Sequence, residues 1–258
     1  MDAVVMAGGI PQPDELLYPY TQGKPKAMLD ILGKPMVQWV LDALSSAQRV
    51  ENIVLIGLTE DSGLTCEKPL TFLPNKITMI ENILGGIRKI MEINPSATRL
   101  LLVSSDIPGI SSAMVDWEVE ATLGWDVDLC YNVVTREVME VRYPGSRRTF
   151  TKLKGMDVCG GDLNVLRTSV ALMNTEVWEK LIASRKNPVK QAAIMGFDTL
   201  LLMLLRAITM DEAVKKVAAR LHMTGKAIVC PYAEIAMDVD KPNQLELMRA
   251  DLAMRVTH

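Results

Sequence analysis

Residues 1–9 read MDAVVMAGG and residues 99–108 read RLLLVSSDIP. Each is a short apolar run that stops at small or acidic residues: residues 3–6 give way to Gly8-Gly9, and residues 99–104 to Asp106. Runs this short and continuously apolar suit strands covered on both faces. Working outward, residues 52–58 (NIVLIGL) and 127–134 repeat the pattern. Val37, Val40, Leu41 and Leu44 recur at helical spacing behind Pro35, a residue suited to a first helical turn. Residues 81–91 (ENILGGIRKIM) form a helix candidate weakened by Gly85-Gly86, and Ser111 is placed to cap a helix reaching Ala121. The alternation predicts an α/β fold, with a mostly parallel central sheet and helices on both faces. Ligands gather beyond the carboxyl ends of strands in such sheets. That rule directs attention to the loops at Gly8, Asp106 and a late acidic cluster.

The 258 residues are predicted to form a single domain, its strand-and-helix alternation running over about residues 1–135. Residues 137–162 read as polar and irregular, holding Arg142, Arg147, Arg148, Lys152 and Lys154. Residues 163–173 return to strand, and three helical stretches follow near 174–184, 188–207 and 210–221, making a helical insertion. The last of these opens with Thr209-Met-Asp-Glu212, a capping-box pattern. Residues 136–225 thus read as a second, more helical part. Strands at 226–230 and 235–239 and a closing helix at 242–254 complete the chain, with metal ligands expected in residues 226–258.

Composition removes several classes of function. A net charge of -3, with Lys+Arg 28 against Asp+Glu 31, offers no surface for nucleic acid. The N-terminus carries an acid where a signal peptide has basic residues. The most apolar segment, 192–208, is interrupted by Asp198 and Arg206 and is too short for a membrane span. The expectation is a cytoplasmic protein. Cys66, Cys130, Cys159 and Cys230 form no CxxC pair, which argues against zinc and against a disulfide framework. The two histidines, His222 and the terminal His258, leave no basis for a histidine-dependent hydrolase. Catalysis would rest on carboxylates, lysines, backbone amides and a metal.

Three constellations carry that chemistry. Glycines directly after the first strand let exposed amides approach a phosphate, so Ala7, Gly8 and Gly9 are candidate nucleotide contacts, and Lys26 at the end of the loop could fold back over the same phosphates. Neither GxGxxG nor GxxxxGK[ST] is present, which disfavours a dinucleotide-binding oxidoreductase and a P-loop kinase. Asp106, just past a buried strand, is either a hard-oxygen ligand for Mg²⁺ or a turn residue ahead of Pro108. Asp238 and Asp240, in Met237-Asp-Val-Asp-Lys-Pro, would face one metal if the segment is extended; otherwise Asp240 caps the closing helix.

The set AGG…KPKAML…GKPM, SSDIP and MDVDKP resembles nucleotidyltransferases with a molybdenum-cofactor-transferase-like (MobA-like) NTP transferase domain, over nearly the whole chain. The resemblance implies a Rossmann-like glycosyltransferase-A fold of the nucleotide-diphospho-sugar transferase type. It implies a glycine loop holding a triphosphate, Lys26 neutralising developing charge, and Asp106 with Asp240 on Mg²⁺ or Mn²⁺, Asp238 being a further ligand. It also places Asn82 and Gly85 beside the nucleotide, with packing the other reading of Gly85-Gly86. The resemblance makes about residues 1–135 the nucleotide-binding half and about 136–225 the acceptor-binding and helical part, with Gly161, Asp162 and Asn164 lying where related enzymes contact the acceptor. Arg148, with Arg147, Lys152 and Lys154, would either bind an anionic acceptor or form a solvated surface. The chain departs from the family in one respect: residues 10–23 (IPQPDELLYPYTQG) lack the arginine that usually follows the glycines and carry Asp14 and Glu15 instead. Lys24 or a remote arginine would then substitute.

The implied reaction transfers a nucleoside monophosphate from an NTP to a phosphorylated or otherwise anionic small molecule, releasing pyrophosphate. Two alternatives are a glycosyltransferase of the same fold and a nucleotide-binding sensor without catalysis. The run at 200–205 (LLLMLL) reads as a buried helix or a subunit contact, the latter making a homo-oligomer.

Overall fold

A computed structural model of the chain describes residues 1–172, 176, 179, 180 and 196–256. The strands are β1 (Asp2–Met6), β2 (Asp30–Ile31), β3 (Lys34–Pro35), β4 (Ile53–Ile56), β5 (Leu70–Leu73), β6 (Arg99–Ser104), β7 (Leu129–Thr135), β8 (Thr151–Leu153), β9 (Met156–Gly160), β10 (Leu163–Arg167) and β11 (Gly225–Val229). All but the β2–β3 ribbon join one sheet among the described residues. The parallel half runs β5–β4–β1–β6, and β11 adds in parallel to β7. β10 lies antiparallel between β6 and β7.

β9 and β10 behave as one strand interrupted by a bulge. Along β9, Val133 pairs with Gly160, whereas along β10, Cys130 pairs with Val165, so the register slips by two residues at Gly161-Asp162. A bulge re-aims side chains beside a ligand rim. Here it puts Asp162 where the strand passes from β7 to β6: the Asp162 carbonyl accepts from the Ser104 amide at 2.9 Å.

The helices are α1 (Tyr18–Thr21), α2 (Met36–Ser46), α3 (Met79–Ile93), α4 (Ser112–Ala121), α5 (Arg136–Arg142), α6 (Phe197–Leu204), α7 (Met210–Arg220) and α8 (Pro242–Val256). Alternate β1 residues feed opposite layers, as a strand's twofold period requires. Ala3 and Val5 join a core with α2, α4 and α8, and Val4 joins another with Leu84, Ile87 and Ile90 of α3. The expected two-faced α/β architecture is therefore present. α3 tolerates Gly85-Gly86 because a Cβ at Gly86 would meet Val4 Cγ1 at 2.5 Å and Ile56 Cδ1 at 2.9 Å. Close approach to the sheet offsets the roughly 1 kcal/mol that a helical glycine costs. Thr78 and Glu81 supply a capping box that starts the helix.

Several expectations are corrected. Residues 137–162 are not irregular: they hold most of α5 together with β8 and β9. Residues 235–239 form no strand, since a 3-10 turn at Ala233–Ala236 precedes an irregular segment. The strand expected over 163–173 ends at Arg167, where a 3-10 turn begins at Thr168. Ser111 stands at the α4 N-cap position, but its side chain makes no capping bond. The capping box at Thr209 and Glu212 is present. The helix expected at 174–184 and the first part of that at 188–207 lie outside the described residues. In the apolar run, Leu201 and Leu205 are exposed. No described helix is long and apolar enough to cross a membrane.

Candidate functional site

The rim beyond the carboxyl ends of β1, β4 and β6 is stitched by backbone hydrogen bonds. The Ala7 amide donates to Ile56 at 2.8 Å, the Ser105 amide to Met6 at 3.1 Å and the Lys26 amide to Gly9 at 2.8 Å. That last bond folds the long loop back on itself and delivers Lys26 beside the glycines. Gly57 must be glycine, because its φ is +103° and a Cβ there would lie 2.3 Å from Gly8 Cα.

Lys26 sits between two carboxylates. Its ammonium donates to Asp106 and, at 2.6 Å, to Asp240. Asp106 is held from its other side by the Ser104 hydroxyl at 2.5 Å. The two acidic segments are joined directly: the Val239 amide donates to the Asp106 carbonyl at 2.9 Å, and the Asp240 amide donates to Gln244 Oε1 at 2.9 Å. The choice left open by the sequence is thereby narrowed. Asp106 and Asp240 face one point, and the Asp240 carboxylate turns to Lys26. Burial pulls the Lys26 ammonium down, but the two carboxylates outweigh it and its pKa stands above the ordinary lysine value.

Asp238 does not share those contacts. It pairs with Arg148, both side chains being largely buried. The segment belongs to no strand, and the two acids have different partners, Arg148 for Asp238 and Lys26 for Asp240. Arg148 is consequently neither free nor part of a solvated surface, and it also reaches the Gly160 carbonyl at 3.5 Å. Arg147, Lys152 and Lys154 are exposed.

Asp162 lies beside this cluster. Burial pushes its carboxyl up to about 7, with Asp106 and Asp240 adding to the rise and Arg148 and Lys26 opposing it. Asn164 is committed to the bulge, accepting from the Asn132 amide at 2.8 Å and donating to the Gly161 carbonyl at 3.0 Å.

Asn82 acts one step away from the glycines. Buried in the first turn of α3, it donates to Asn75 Oδ1 at 2.7 Å, and Asn75 donates to the Gly8 carbonyl at 3.0 Å. Asn82 also accepts from the Lys76 amide at 2.7 Å. Asn75 and Ser104 were not among the candidates. The signal for Asn75 was available, since it follows the apolar run 70–73 at the same strand-end rim. Gly85 lies one turn after Asn82 with open space beside its Cα.

In front of Lys26 and Asp240 opens a cleft of about 510 Å³, lined also by Gly9, Ile10, Pro11, Asp14 and Glu15. Lys24 is exposed. Two carboxylates converging on a cation fit a hard divalent metal, which takes one or two carboxylates together with substrate phosphates. Among the described residues, no cluster of three or more His, Cys, Asp or Glu side chains could hold a metal alone. Water or phosphate oxygens would complete the shell.

A model of the MobA-like NTP transferase domain matches residues 3–222, and the chain belongs to that family. No curated protein matches the chain significantly. Among solved structures, a hypothetical transferase from Thermus thermophilus is 29% identical with a TM-score of 0.79, covering 95% of this chain and 98% of that one. CMP:2-keto-3-deoxy-manno-octonic acid synthetase complexed with CTP is 14% identical with a TM-score of 0.57, covering 98% and 99% of the two chains. The 4-diphosphocytidyl-2C-methyl-D-erythritol synthase of Anaerococcus prevotii is 12% identical with a TM-score of 0.59, covering 98% and 95%. At such identities these two show a shared fold.

Proposed function

We propose that this member of the MobA-like NTP transferase family transfers a nucleoside monophosphate from a triphosphate to a small anionic acceptor, releasing pyrophosphate. The observation that carries the reading is Lys26, anchored by its amide to Gly9 and bonded through its ammonium to both Asp106 and Asp240. Charge-handling groups from three distant segments thus meet under one glycine loop.

Asp106 and Asp240 would hold Mg²⁺, which when bound supplies charge neutralisation on phosphate oxygens. Gly8 and Gly9 present amides to the triphosphate, Ala7 instead tying the start of the loop to Ile56 through its own amide, and Asn75, oriented by Asn82, fixes the glycine backbone. Lys26 turns from the carboxylates to the phosphates and stabilises charge on the bridging and leaving oxygens. The acceptor oxygen approaches from the side of Asp162 and Arg148, in line with departing pyrophosphate. An ionised phosphate acceptor needs no general base, so positioning and charge carry the barrier reduction. Asp162, holding its proton up to about pH 7, donates a hydrogen bond to the anionic acceptor instead of repelling it. With the loop acidic at Asp14 and Glu15, Lys26 and the metal take over the work of the missing arginine.

A thermal-shift series over the four ribonucleoside triphosphates, each with and without Mg²⁺, tests this reading, with CTP first because a neighbour of the same fold binds it. One triphosphate should raise the melting temperature in a Mg²⁺-dependent way and then support pyrophosphate release with a pool of anionic metabolites. No shift with any triphosphate would reject the reading.

A further inference from the structure

Lys26 and a divalent cation need the same oxygens. The Asp106 carboxylate is held independently of the lysine by the Ser104 hydroxyl, and the backbones that carry Asp106 and Asp240 are held by the Val239-to-Asp106 bond and by the Asp240 amide on Gln244. The movable member is the lysine. Its amide is tied to Gly9, yet its ammonium sits at the end of a flexible four-carbon stem. The Lys26 and Asp106 side chains are only 17% and 13% exposed, while Asp240 is 54% exposed, so the cluster opens towards the cleft on the Asp240 side.

We propose that Lys26 is a built-in competitor of the divalent cation: its ammonium holds the oxygens of Asp106 and Asp240 that the cation requires, and releases them when an anionic ligand enters beneath the glycine loop. The inference rests on the reading of Asp106 and Asp240 as the metal carboxylates. Two charge-assisted hydrogen bonds must be given up before a hard cation enters, whereas a triphosphate offers the ammonium replacement anionic partners. The consequence is an order of assembly: triphosphate first or together with its cation, free cation alone only weakly. The acidic loop adds a reason for such a device. With Asp14 and Glu15 also lining the cleft, an unguarded carboxylate pair would gather cations without substrate.

The test is a titration of nucleotide-free protein with Mn²⁺, the free ion being read by electron paramagnetic resonance. Lys26→Met and Lys26→Gln remove the charge at similar length, and either one with an unchanged far-UV circular dichroism spectrum serves. Each should bind Mn²⁺ at least about tenfold more tightly than the wild type, the scale expected when charged hydrogen bonds no longer compete. Lys26→Arg should stay near the wild type, and Lys26→Met combined with Asp106→Asn should lose the gain. Equal Mn²⁺ affinity in the wild type and both neutral variants overturns the proposal, as does a gain that survives Asp106→Asn. The titration contains no nucleotide, so its failure leaves nucleotidyl transfer to be judged separately by pyrophosphate release.

Discussion

The Val239 amide donates to the Asp106 carbonyl at 2.9 Å. One backbone bond thus sets the distance between a carboxylate that follows β6 and one that precedes α8. Because main chain holds the two acids together, either side chain can be altered with little expected effect on the fold, which makes the centre accessible to mutation.

Asp106→Asn and Asp240→Asn should each lower Mg²⁺-dependent pyrophosphate release by about a hundredfold or more, the scale seen when one preorganised charge-stabilising group is lost. The melting temperature should change little, because the Val239–Asp106 and Asp240–Gln244 backbone bonds remain. Steady-state pyrophosphate release, with melting curves alongside, checks both expectations.

Lys26→Ala should cost about 3 kcal/mol of transition-state stabilisation, on the order of a hundredfold in kcat. A wild-type kcat in this variant would leave the lysine without a catalytic role.

The Asp162 carboxyl has a pKa raised to about 7. Below that pH it is protonated and able to donate to an anionic acceptor; above it, the carboxylate repels the same group. The acceptor KM should therefore rise as pH passes 7. Asp162→Asn, a permanent neutral donor, should flatten that rise, and Asp162→Ala should raise KM across the whole range. Acceptor KM measured against pH, with kcat followed separately, decides the point.

Asn82→Ala frees Asn75 and with it the Gly8 carbonyl. A severalfold higher KM for the triphosphate is expected, with kcat changed less and a stability loss of about 1–2 kcal/mol from the lost buried hydrogen bonds. Initial rates over a range of triphosphate concentrations separate the two effects.

Away from the site, Glu118 is fully buried and its carboxyl is pushed by burial from 4.5 up to about 7, against the opposing influences of Asn132 and Arg99. Its Oε1 and the Asn132 Oδ1 are both buried without a partner. Both need a donor, and a proton kept on Glu118 supplies one. A raised pKa in the folded state gives stability that is full below the unfolded value near 4.5 and is lost as pH rises through 7. Glu118→Gln should therefore be more stable than the wild type at pH 8, by on the order of 3 kcal/mol, and should lack the decline between pH 5 and 8. Urea denaturation at several pH values measures it.

The parts of this molecule that could be read from sequence are those with local signals. β1 and β6 are continuously apolar because both faces are covered, and their ends marked Gly8, Gly9 and Asp106 as rim residues. The capping box at Thr209 lies within four consecutive residues. The segment 137–162 was misread because β8 and β9 are short, half-exposed antiparallel strands whose polar residues resemble a loop. Asp238 looked equivalent to Asp240 because spacing alone cannot reveal that Arg148, far off in the chain, takes one of the pair. Asn75 is marked as a rim residue by the apolar run 70–73 before it, but its role is not legible: its partners, Gly8 and Asn82, are brought to it only when β5 packs beside β4 and α3 covers them.

Transfer of a nucleoside monophosphate by the Lys26–Asp106–Asp240 centre can be followed with label. Its most direct test is incubation with an α-³²P-labelled triphosphate, Mg²⁺ and an anionic metabolite pool, with wild-type protein and Asp106→Asn in parallel. Label joined to an acceptor, in a one-to-one ratio with released pyrophosphate, is expected in the wild type alone. Label recovered only as nucleoside diphosphate or unreacted triphosphate, or equal transfer by Asp106→Asn, would contradict it.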